Sequence, residues 1–127
     1  MAFEQQQTKL TVPANTDLSA KQFFVVKLTN SSGTAQAALC GAGAESFGIL
    51  QNKPAAQGRA AEVAVAGASK AVAGGTVTAG SKVASDSAGK VVDAVSGDIA
   101  VGWALEGTTT AGELVTIAVA PSIGKIW

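Results

Sequence analysis

The stretch VGWALEGTTTAGELVTIAVAP, Val101–Pro121, decides the fold. An apolar run gives way to small polar residues ending in glycine, and then to an alternating segment, TIAVA. That order is the pattern of two β-strands joined by a tight turn. It also stands earlier in the chain, in FGILQNKPAAQGRAAEVAVAG, Phe47–Gly67. With one block set over the other, Gly48 falls on Gly102, Gly58 on Gly112, and EVAVA on TIAVA. A glycine just ahead of a strand suits a turn that needs positive φ.

Working outward, DLSAKQFFVVKLTNSSGTAQAAL resembles TVTAGSKVASDSAGKVVDAV. Each has a small polar approach, a short strand, a turn at Gly33 or Gly89, and a second strand. The chain therefore reads as a tandem repeat of roughly 50 residues, spanning about 14–67 and 73–121. Strand-length β-branched or aromatic runs lie at Phe23–Thr29, Ala61–Gly67, Ile99–Glu106 and Glu113–Ala120. In between, Lys82–Ala84 runs in, Ser85–Gly89 turns, and Lys90–Ala94 runs back. No stretch sustains an apolar period of 3.6, and Asp17–Phe23 is long enough for one helical turn at most. The expected fold is all-β: a small β-barrel or β-sandwich, β-tulip-like, built from two similar halves. One β-domain is expected over 10–122, with an extended N-terminal arm over 1–9 and a tail over 123–127. Trp103, in an apolar strand, is assigned to the core.

The totals point away from several functions. At 127 residues the chain fits one domain. Net charge is zero and 14% of residues are charged, against about 25% in an average soluble domain. The nine Lys and Arg are spread singly. A nucleic-acid ligand calls for a basic stripe, and so does an anionic membrane, so neither partner is expected. No run of 18 apolar residues spans a bilayer. The start, MAFEQQQTKL, has no basic region followed by an apolar run. The expectation is a chain made in a cytoplasm that acts by assembly rather than export. Alanine and valine supply most of the 47% hydrophobic content, and large core residues are few. Each buried side chain then offers little area, at about 25 cal/mol per Å². Packing against copies or a partner would add stability.

Reactive chemistry is hard to assemble from this alphabet. Histidine and tyrosine are absent, which removes the commonest general base and the commonest metal ligand. The lone Cys40, within AALCGAGA, reads as a small buried thiol. Asp86, Asp93 and Asp98 lack the alternating spacing of a calcium loop, and Asp86 and Asp98 suit Asx turns. Glu62 and Glu113 are expected to face solvent. GAGAESFG (41–48) and AGGTVTAGSK (73–82) match neither phosphate-loop pattern and read as turns. No catalytic residue, metal site or cofactor is expected. The ends carry the candidate contacts: Phe3 as an anchor in the arm, and Ile126 and Trp127 as large apolar residues in the tail.

Taken in order, DLSAKQFFVVKLT, GILQNKP, AGSKVASDSAGKVV and VGWALEGTTTAGELVTIAVAPS resemble the small capsid cement, or head decoration, proteins of tailed bacteriophages. The resemblance spans about Thr8–Ser122. It implies a virion protein on the outer surface of a phage head. It also implies binding as a homotrimer that clamps neighbouring major capsid subunits, with no catalytic residues. Rival readings are a head-fibre base, a tail element or a carbohydrate-binding β-module. The last wants exposed aromatic platforms, which are scarce here.

Overall fold

The computed structural model describes Ala2 and residues 5–125. Among the described residues it holds nine strands and no helix. They are β1 (Gln5–Pro13), β2 (Val25–Ser31), β3 (Thr34–Leu39), β4 (Gly48–Leu50) and β5 (Ala60–Val72). Then follow β6 (Lys82–Ser85), β7 (Val91–Asp93), β8 (Ile99–Ala104) and β9 (Leu114–Lys125). All join one sheet in the order β3-β2-β4-β5-β9-β8-β6-β7, with β1 added to β5. The sheet is strongly curled into a half-barrel. The chain is all-β, as the alternating runs imply.

Strand pairing in the first half recurs in the second. β2 pairs with β3 and β4, and β4 and β1 pair with β5. Likewise β6 pairs with β7 and β8, and β8 and the second part of β5 pair with β9. Equivalent residues keep equivalent partners: Ile49 opposes Ala64 as Trp103 opposes Ala118. A parallel bridge draws the ends of each half together, Ala14 to Ala37 and Ala73 to Val91. The glycine turns behave alike too. Gly58 and Gly112 both have positive φ, and their N–H groups donate to Ala14 and Ala73 respectively. Long β5 serves both halves, and Gly67, at φ 91°, stands where its partner changes from β4 to β9.

Two apolar clusters follow from this doubling. Ala14, Leu18, Val26, Ala37, Leu50, Ala61 and Val63 fill the first half. Ala73, Val77, Val83, Val91, Ala104, Val115 and Ile117 fill the second. The second cluster also takes in Val25, Cys40 and Ile49 from the first half, so the halves pack against each other. Hydrogen bonds cross that seam, among them Val25 N–H to Gly89, Gly43 N–H to Ser85, Ile99 N–H to Gly43, Val72 N–H to Phe23 and the Ser85 hydroxyl to the Cys40 carbonyl.

Strands reach into both ends of the chain, and one placement is revised. Arm residues Gln5–Lys9 belong to β1 and pair with Ala64–Ala68 through an irregular register. A polar segment can take that place because backbone hydrogen bonding, not side-chain burial, holds an edge strand. β9 continues to Lys125, through the first residues of the expected tail. Asp17–Phe23 forms turns, within the limit of one helical turn, with Ser19 N–H held by the Asp17 carboxylate at 2.9 Å. Trp103 is 41% exposed rather than core. Pairing of β8 with β9 jumps between Ala100 and Gly102, which changes the phase of alternation. Val101 and Ala104 then both face inward and Trp103 faces out.

Candidate interaction surfaces

The carboxylates that a catalytic reading would need are engaged in holding turns. Asp86 accepts hydrogen bonds from the N–H groups of Ala88 (2.8 Å) and Lys90 (2.9 Å). Asp98 accepts from Val95 N–H at 3.0 Å, closing the loop before β8. Asp93 accepts from both the N–H and the hydroxyl of Thr78. Glu113 accepts from the Thr108 hydroxyl, and Glu62 lies 3.6 Å from Lys9 on the outer face. Among the described residues no three His, Cys, Asp or Glu converge on one point. Cys40 is buried in the seam between the halves, where burial pushes its thiol pKa up. A neutral, inward thiol is a poor nucleophile.

What the surface offers is apolar contact. Leu10, Leu28, Val95, Trp103, Leu105 and Leu114 are large and exposed. Two groups form among them. On the second half, Trp103 lies beside Lys82, whose Nζ sits 5.1 Å from the ring centroid, a cation–π contact. Ala94 N–H donates to the Lys82 carbonyl, so the Ala94–Asp98 loop, with exposed Val95, starts beside β6.

On the first half, β2 and β4 pair at Val25–Ile49 and Val26–Gly48 and then splay apart. The gap is a depression of about 400 Å³ lined by Lys27, Leu28, Ala44, Glu45, Ser46 and Phe47. On its wall Ser46 is 9% exposed, and its hydroxyl has no hydrogen-bond partner among the described residues. A buried hydroxyl left without a partner is costly unless something reaches it.

Phe3, Ile126 and Trp127, the contacts expected from the ends, lie outside the described residues. Sequence reading missed both the Trp103 face and the Leu28 depression. The signal for Trp103 was the glycine beside it: Gly102 backs onto the Ala118 carbonyl and sits at the break in register.

A family profile described as phage cement protein matches residues 3–121. The crystal structure of the N base of head fibre gp8.5 from bacteriophage phi29 is similar in fold. Its TM-score is 0.70 at 16% identity, covering 96% of this chain and 99% of that one. Among curated proteins there is no match.

Proposed function

The chain belongs to the phage cement protein family, and from that premise we propose that it binds the outside of a phage head and ties neighbouring major capsid subunits together. It is a structural component of the virion. The observation that carries the reading is the family match over nearly the whole chain. The surface chemistry supports it. Exposed Trp103, Leu28, Val95 and Leu105 supply contact area. Zero net charge fits adhesion to protein rather than to nucleic acid or an anionic membrane. Many copies on one shell bind with avidity, so each contact can be weak.

The finer reading has the protein act without catalysis, assemble as a homotrimer, and contact the major capsid protein through Phe3, Ile126 and Trp127. It is made in the host cytoplasm and ends up on the capsid surface. Co-sedimentation tests this. Purified protein mixed with heads lacking it pellets with them at saturating, many-copy stoichiometry. Protein left wholly in the supernatant overturns the reading.

A second reading, the base of a head fibre, draws on the fold likeness to the phi29 head fibre base. Images of decorated heads separate the two. A cement protein gives compact density between subunits, whereas a fibre base gives a thread projecting from it.

A further inference from the structure

Half of this molecule already shows how its exposed face is covered. Val25 and Ile49, on β2 and β4, oppose each other and are fully buried against the second half. Their counterparts on β6 and β8 are Lys82 and Trp103, which oppose each other in the same register and reach solvent. One face is thus built twice and covered once.

The intramolecular seam also shows the shape of what covers it. Beyond Lys82–Trp103 and Val83–Gly102, β6 and β8 part, as β2 and β4 do. Gly43, at the tip of the loop after β3, enters that opening. Its N–H donates to Ser85 at 2.9 Å and its carbonyl accepts from Ile99 N–H at 2.9 Å. The opening between β2 and β4 is the matching place in the first half. Its walls, Leu28, Ala44 and Glu45, stand where Ser85, Asp98 and Ile99 stand in the second. It is open, and the Ser46 hydroxyl on its wall lacks a partner among the described residues. The counterpart of the Gly43 loop is the Ala94–Asp98 loop, whose Gly97 also has positive φ and whose Val95 is 63% exposed.

We infer that a second copy of this chain covers the face, by a head-to-tail contact that repeats the intramolecular one. The Ala94–Asp98 loop of one copy enters the depression between β2 and β4 of the next. Trp103 and Lys82 then lie against Leu28, Phe47 and Glu45. The depression carries Lys27 and Glu45 and the entering face carries Asp98 and Lys82, so each surface offers a charge of either sign to pair with the other. Such a contact uses different patches on the two copies and closes into a ring when its rotation allows. The inference deepens the self-association named above and identifies its surfaces.

The test is sedimentation of purified full-length protein over a concentration series. Wild type associates as concentration rises. Trp103→Glu and Leu28→Glu each weaken association at least about tenfold, the loss expected of an interface anchor. Both sites are exposed, so thermal melting curves match wild type; Val95→Asp serves in place of Trp103→Glu should that variant fail to fold. Mixing the two variants one to one restores a dimer and nothing larger, because each copy keeps one intact patch. A wild type that stays monomeric overturns the inference. So do folded variants that associate like wild type, or a mixture that stays monomeric. If wild type is monomeric and Trp103→Glu abolishes pelleting with heads, the face belongs to the capsid, and this inference fails while the cement reading holds. If wild type associates as described but ignores heads, the cement reading fails and this inference stands.

Discussion

Gly102 lies so close to the carbonyl of Ala118 on the neighbouring strand that a β-carbon on it would collide with the oxygen. Gly48 meets the Ala64 carbonyl in the same way. The obstacle is backbone in each case, so it cannot swing aside like a side chain. Gly102→Ala and Gly48→Ala are each expected to cost about 1–3 kcal/mol, the range for overpacking a tight site. Gly41→Ala, with open space around its position, should stay within about 0.5 kcal/mol of wild type. Urea denaturation of the three variants checks this. Equal midpoints for Gly41→Ala and Gly102→Ala would contradict the packing account.

Leu50 is fully buried in the first cluster, whereas Leu105 is 49% exposed. Leu50→Ala removes a large side chain from a core short of them and is expected to cost about 2–5 kcal/mol. Leu105→Ala should change stability by less than about 0.5 kcal/mol. Thermal unfolding followed by circular dichroism separates the two.

Asp86 holds its hairpin turn through two backbone N–H groups. Asp86→Ala releases both and should cost about 1–2 kcal/mol. Asp86→Asn keeps an acceptor oxygen and should lose less. A chelator should leave the wild-type melting temperature unchanged, since these carboxylates bind backbone. A chelator-induced drop would mean that a bound ion had been removed.

Alternation and the glycines made the architecture readable from the sequence. TIAVA and EVAVA fell in strands, and Gly58 and Gly112 made equivalent turns. Lys82–Ala94 formed the hairpin its residues describe. β1 was harder to see, because Gln5–Lys9 carry no apolar alternation and are held by backbone pairing. Trp103 was misplaced because a break in register cannot be seen in one sequence, and it reverses the face on which a residue stands. The Leu28 depression arises where two strands part, so no local pattern marks it.

Burial lifts the Cys40 thiol pKa above its usual 9.0, with Ser85 and Lys27 opposing more weakly. The folded state then holds the thiol proton more tightly than the unfolded state does. That contribution is fully present below the unfolded thiol's value and is lost as pH rises above it. Wild type should therefore lose stability above pH 9.0 more steeply than Cys40→Ala does, as read from melting temperatures across alkaline buffers. A thiol reagent should label Cys40 far more slowly in the native protein than in urea. Fast native labelling would contradict the buried placement.

The most direct measurement is the temperature at which phage heads release their DNA, with and without this protein bound, before and after exposure to a chelator. Heads carrying it are predicted to hold their DNA to a higher temperature and to survive chelation better, and adding purified protein to bare heads should restore both properties. Identical release temperatures for bare and saturated heads would contradict the claim that this protein fastens capsid subunits to one another.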